Sequence, residues 1–202
     1  MNRFLPERSD INPRWFHAWG ESFGSSSLAI DMSNNDRIFA RVRDRMFQAM
    51  GIDINAPLNE YDVLVAHAYA TDKVRLARLC GMVFHGELLR NRISKSDFET
   101  ISKIFDIDDL KLMASLRDLH AEDQTFQADM SKLSMLIERT GAACISSWKA
   151  GLDEQMGMRI HLMEADDEIE PEENTIVGTD IAKHIIMAVS QALLEEDASL
   201  AA

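Results

Sequence analysis

The sequence predicts a mainly α protein, an irregular multi-helix bundle with at most one or two short strands. Apolar residues recur at three- and four-residue spacing through most of the 202 positions, the mark of amphipathic helices. Asn, Ser, Thr and Asp stand where those stripes begin, as helix caps do. Only one short stretch alternates apolar and polar residues in the manner of a strand.

Residues 1–33 carry Trp15, Phe16 and Trp19 among Pro13, Gly20, Gly24 and serines 25–27, and predict an irregular segment anchored by aromatics. The rings either pack on the helical body, as their large area favours, or form a patch for a partner. Asn34 or Asn35 caps a helix with Ile38, Phe39, Val42, Met46 and Ala49 on one face, ended by Gly51 in the left-handed conformation. Arg37, Arg41 and Arg45, four apart, share another face of it, with Arg43 nearby. Such a face is solvated, or meets an acidic partner or the chain's own acidic segment.

A helix follows over 59–70 with Tyr61, Leu64, Val65 and Ala68 inward, and Thr71 and Asp72 cap the next. There Leu76, Leu79, Cys80, Val83, Phe84, Leu88 and Leu89 form one broad stripe. His85 beside Gly86 marks a break where the imidazole can satisfy a carbonyl. Ser94 with Asp97, or Ser96 with Glu99, caps a helix carrying Phe98, Ile101, Ile104 and Phe105. Asp106 or Asp108 starts another, with Leu110, Met113 and Leu116 inward. After a polar linker, Met130 to Leu152 keeps the helical period with Gly141 in its middle. A mid-helix glycine costs about 1 kcal/mol relative to Ala and implies close packing or a kink.

Met158, Ile160 and Leu162 alternate with Arg159 and His161 after Gly157, which favours a short extended segment. Residues 164–173 hold seven acids and Pro171, and predict a mobile loop. Thr179 caps a last helix with Ile181, Ile185, Val189 and Ala192 or Leu193 inward, before an acidic tail. The expected organisation is one domain: the N-terminal segment 1–33, a helical core 34–163, the acidic loop 164–178, and a C-terminal helix and tail 179–202.

Net charge is −13 and uneven: from Glu164 onward there are eleven acids and one base, leaving −3 on the rest. An acidic chain without a basic stripe argues against nucleic acid and anionic membrane as partners. Neither an apolar leader nor a run of the length needed to span a bilayer is visible, so a soluble, cytoplasmic protein is expected. Cys80 and Cys144 lie in helical stripes and are expected as buried thiols in a reducing compartment.

No motif in the chain commits it to catalysis. Gly20-Glu21-Ser22-Phe23-Gly24 matches the nucleophile elbow as a string, but that motif needs a strand delivering the Ser into a tight turn, and helical pattern surrounds it. None of the six histidines is paired four apart on a helix, and no phosphate-binding loop is present. Asp106-Ile107-Asp108-Asp109 opens like a calcium loop, but Lys111 and Arg117 stand where Gly and Glu are needed. No enzyme activity, cofactor or metal is expected.

The run Leu79-Cys80-Gly81-Met82-Val83-Phe84-His85-Gly86-Glu87-Leu88-Leu89-Arg90 resembles the central segment of the K subunits of bacterial type III secretion systems (the SctK/YscK family). Gly81, His85, Gly86, Glu87 and Arg90 match its pattern, and Asn91 sits where a second Arg is common. Asn12-Pro13-Arg14-Trp15-Phe16-His17 resembles the family's N-terminal entry, and Met158-Arg159-Ile160-His161-Leu162 its late segment. The chain departs from the pattern between His120 and Asp129, where many members carry Trp and Pro.

The resemblance implies a non-enzymatic adaptor of the cytosolic sorting platform. It would bridge the cytoplasmic domain of the inner-ring D subunit to the Q subunit, which leads through the L subunit to the ATPase. Two surfaces are expected to dock. Glu164, Asp166, Asp167, Glu168 and Glu170 would face the D subunit. Trp15, Phe16 and Trp19 with Arg37, Arg41 and Arg45 would face the Q subunit. The alternative is a type III secretion chaperone, also small and acidic, of a class that mixes sheet with helices and dimerises.

Overall fold

The computed structural model describes residues 4–91, 95–119, 132–164 and 178–200. These are mainly helical, in ten α-helices, and no strand occurs among them. Backbone packing divides the chain into two compact units, where the sequence suggested one domain: residues 1–66 with 152–169, and residues 67–151 with 170–202. The expected 34–163 core is therefore shared between them, because the chain returns to its N-terminal unit at Leu152.

The first unit opens with two helices where an irregular segment was expected, α1 (Pro13–Glu21) and α2 (Ser26–Ser33). The residues that read as breakers have other roles. Pro13 occupies the first helical position, where its missing N–H costs nothing, and Asn12 caps the helix by accepting the Arg14 N–H at 3.1 Å. Gly20 lets the helices touch: a β-carbon there would lie 2.6 Å from the Ser26 Cα.

Helix α3 (Phe39–Ala49) follows a turn in which the Asn35 side chain accepts the Arg37 N–H at 3.1 Å. Gly51 ends it with φ +78°, as expected. Val42, Met46 and Phe47 are buried on its inner face, while Ala49 is exposed. With Ile11, Phe16, Ile52 and Leu162 they form one apolar cluster.

Helix α4 (Glu60–Phe84) breaks at Asp72, whose backbone leaves the helical region (φ −156°, ψ 87°). The Asp72 carboxylate accepts the Arg75 N–H at 2.9 Å, so the expected cap restarts the helix. Tyr61, expected inward, is 60% exposed.

The second unit holds the rest of α4, α5 (Gly86–Asn91), α6 (Lys95–Ile104), α7 (Ile107–Ser115), a short 3₁₀ turn (Arg117–Leu119) and α8 (Leu133–Lys149). Asp106, rather than Asp108, caps α7 by accepting the Asp108 N–H at 2.8 Å. The expected caps at Ser94 and Ser96 lie outside the described side chains.

At the heart of this unit α4 and α8 meet through two glycines. A β-carbon on Gly81 would overlap the Ile137 carbonyl, and one on Gly141 the Ala77 carbonyl. Close packing, not a kink, is thus the reason for Gly141. Cys80 and Cys144 are free and buried in these same helices. Burial pushes the Cys80 thiol well up, with the Cys144 charge adding to it, and pushes Cys144 up to about 12, so neither is a ready nucleophile.

Arg75 ties the unit at another level. Its Nε donates to buried Asp109 at 2.8 Å, and its Nη2 donates to Glu196 at 3.0 Å. Burial alone would lower the Arg75 pKa, but the bonds and charges of those acids outweigh it and raise it.

The remaining helices correct two sequence expectations. Residues 158–162 are not extended: they belong to α9 (Glu154–His161) of the first unit and the turn after it. Asp153 caps α9, accepting the Met156 N–H at 2.8 Å. Met156, Arg159 and Ile160 form its buried stripe, so the helical spacing was hidden by an arginine on the apolar face. In α10 (Thr179–Leu200) of the second unit, Ala182, Ile185, Ile186, Val189 and Leu193 are buried, while Ile181 is 46% exposed.

The glycines give opposite expectations. Gly141→Ala should lower stability by about 2 kcal/mol as α4 and α8 are forced apart, outweighing a helix-propensity gain of about 1 kcal/mol. Gly157 sits inside α9 with nothing within 4 Å of the β-carbon position, so Gly157→Ala should stabilise by about 1 kcal/mol or less. Urea unfolding followed at 222 nm checks both, and an unshifted midpoint for Gly141→Ala would exclude the tight crossing.

Candidate functional site

The first unit carries most of the residues singled out in the sequence. Asn12 is a hub between its ends: besides capping α1, it donates its N–H to the Leu162 carbonyl at 2.9 Å and its Nδ2 to the Glu164 carbonyl at 3.0 Å. Trp15 stands edge-on to His161 at 5.0 Å, with the Arg14 guanidinium over its ring at 4.7 Å. The segments 12–17 and 158–162, far apart in sequence, thus pack against each other.

Phe16 is buried in the apolar cluster, with Phe39 edge-on at 6.2 Å. Trp15 and Trp19 are half-buried, and Trp19 meets exposed Phe23 at 5.0 Å. The aromatics therefore serve the body of the unit first. Ser22, the elbow candidate, follows a helix and donates its hydroxyl to the Trp19 carbonyl at 2.6 Å.

The arginines separate. Arg37 lies in the turn before α3, not on its face. Arg43 folds back, pairing with Asp44 at 3.1 Å and lying 5.9 Å from the Phe39 ring centroid. Arg41 and Arg45 remain exposed, one turn apart, and line a groove of about 670 Å³ between α3 and the turn at 51–54. Neither guanidinium takes an ion pair or hydrogen bond among the described residues.

The opposite wall of the groove is held by α9. The Asp53 N–H donates to Gln155 Oε1 at 2.7 Å, and Gln155 Nε2 donates to the Gly51 carbonyl at 3.4 Å. Arg159 Nη2 donates to the Asp53 carbonyl at 2.7 Å, while its Nη1 donates to the Phe4 carbonyl at 2.9 Å. Arg159 is fully buried. Burial lowers its pKa, opposed by the charges of Asp153 and Asp53.

Sequence reasoning found Arg41 and Arg45 and missed Gln155, Arg159 and the 51–54 turn. The left-handed signal at Gly51 was the only local hint of that wall. Glu164 sits beside His161, with a carboxylate oxygen 3.5 Å from Nδ1. Asp166, Asp167, Glu168 and Glu170 lie outside the described residues, as does the polar linker.

His85, singled out in the second unit, hydrogen-bonds the Thr140 hydroxyl of α8 at 2.9 Å, not a carbonyl as expected. Among the described residues no group of three His, Cys, Asp or Glu side chains is placed to hold a metal, and no helix is long and apolar enough to cross a membrane.

Fold and site together define an all-helical protein, among its described residues, with an exposed groove lined by two uncommitted arginines. No protein-family model matches the chain, and no match is found among curated proteins or solved structures.

Two outcomes follow. Burial lowers the His85 pKa from 6.5 to about 4. Above pH 6.5 it is neutral whether folded or not; between 6.5 and 4 the unfolded chain takes up a proton the folded one refuses. Stability through this group therefore falls with pH in that window, by about 3 kcal/mol in all, and levels off below it. Urea midpoints across this range should show the slope in the native protein and its loss in His85→Gln; an identical slope in both would exclude His85 as its source. For Arg159→Met, one buried and one part-buried carbonyl lose the arginine as donor, and a loss of about 3 kcal/mol is expected in thermal or urea unfolding. Arg159→Lys should recover only part of it, since one ammonium lacks the two-pronged reach.

Proposed function

We propose that this chain is a non-enzymatic adaptor of a type III secretion sorting platform, linking the cytoplasmic domain of the inner-ring D subunit to the Q subunit at the cytoplasmic face of the apparatus. The observation that carries the reading is the ordered resemblance of three segments to K subunits, supported by the packing of two of them. Asn12 holds the Leu162 and Glu164 carbonyls, and Trp15 packs on His161. A motif shared by distant segments makes physical sense when the segments form one joint.

Two surfaces suit docking. The Arg41–Arg45 face, together with the N-terminal aromatics, would meet the Q subunit. The acids from Glu164 through Glu170 would meet a basic face of the D subunit, where charge steers and orients more than it tightens. Several modest contacts would then add through effective concentration. The chaperone alternative expects sheet beside helix, whereas the described residues carry helices alone.

Size-exclusion chromatography with light scattering tests this. The purified chain should co-elute with the Q subunit and with the D cytoplasmic domain, the latter more weakly at high salt. A stable dimer that ignores both would overturn the adaptor reading and favour the chaperone.

A further inference from the structure

We infer that the groove between α3 and the 51–54 turn is a preformed docking site for an acidic peptide segment of a partner protein, with Arg41 and Arg45 as its carboxylate receptors. The inference rests on the reading of the Arg41–Arg45 face as a docking surface, and it names the chemistry of the partner there.

Charge within the groove is the first ground. Two acids line it as well, but neither pairs with Arg41 or Arg45 among the described residues. Asp44 accepts from Arg43 Nε and Nη2 at 3.2 and 3.1 Å. The Asp53 carboxylate accepts the Asn55 N–H at 2.9 Å. Arg41 and Arg45 are left as the uncommitted charges, in a chain whose net charge is −13. Two neighbouring guanidiniums that bond to no internal acid are free to receive carboxylates from outside, since each can take a carboxylate through two parallel bonds.

Shape is the second ground. Side chains four apart on a helix have β-carbons about 6 Å apart, a spacing that successive acidic side chains of a peptide can meet. The groove volume of about 670 Å³ exceeds what one small anion fills, and half-buried Ile54 gives its far wall an apolar spot. A compact phosphate would not use that wall.

Rigidity is the third ground. Gln155 and Arg159 fix the turn at Gly51 and Asp53 with three hydrogen bonds. A wall already ordered in the free protein spares the complex an ordering cost.

Fluorescence polarisation on the full chain with a labelled Glu/Asp decapeptide tests the inference. The native protein should bind it, and raising salt from about 50 to about 300 mM should weaken binding. The double reversal Arg41→Glu with Arg45→Glu should weaken it roughly tenfold or more, and Arg41→Gln with Arg45→Gln by less. Arg117→Glu, which changes the charge by as much as the double Gln variant but at an exposed site of the other unit, should leave it unchanged. No binding, an equal loss from Arg117→Glu, or binding of inorganic phosphate in place of the peptide would overturn the proposal. The assay contains no secretion component. Failed co-elution with the Q and D subunits would therefore count against the adaptor reading alone, and failed peptide binding against this inference alone.

Discussion

The first unit depends on a guanidinium with no access to water. Arg159 enters the core from α9 and donates to two carbonyls, one on the N-terminal segment and one on the turn after α3. Its Nε finds no partner among the described residues. Burying a charge so incompletely satisfied is costly, and the arrangement persists because three chain segments converge on it. Asp53 and Asp153 supply opposing charge without a direct ion pair. An apolar residue of similar size would fill the space yet give neither carbonyl the donor that Arg159 supplies, and that asymmetry makes the arginine hard to replace.

The second unit is organised by absence of side chain instead. Gly81 and Gly141 bring the backbones of α4 and α8 together. Residues beside that seam are held in defined states. His85 is kept neutral against Thr140, and the two thiols are kept protonated. Arg75 adds a polar tie, reaching α7 through Asp109 and α10 through Glu196.

The groove follows from the first of these devices. Because α9 fixes the turn at Gly51 and Asp53, the outer face of α3 has a firm wall opposite it. Because Arg43 takes up Asp44, and Asp53 pairs with neither Arg41 nor Arg45 among the described residues, the positive charge of that pair is not spent internally. A buried arginine and an exposed pair thus divide the work: one sets shape, the other presents charge. The same α9 places Leu162 and His161 against Asn12 and Trp15, so the aromatic face and the groove rest on one helix.

The sequence by itself determined the helical class, the stop at Gly51 and the burial of both cysteines; it narrowed the caps to Thr71 or Asp72 and to Asp106 or Asp108, left Gly141 between close packing and a kink, and offered Arg41 and Arg45 together with Arg37. These are local signals: apolar periodicity, a capping side chain, a residue without a β-carbon. Tertiary structure decided the rest. It turned 1–33 into two helices, because Pro13 and Gly20 break helices only when read without position or neighbour. It made 158–162 helical, because Arg159 looks polar in a pattern and is buried only through carbonyls at Phe4 and Asp53. It divided the chain into two units, since a return at Leu152 leaves no compositional mark. The wall opposite Arg41 and Arg45 belongs to the same class of fact: Gln155 and Gly51 become neighbours through the fold, and no spacing along the chain records it.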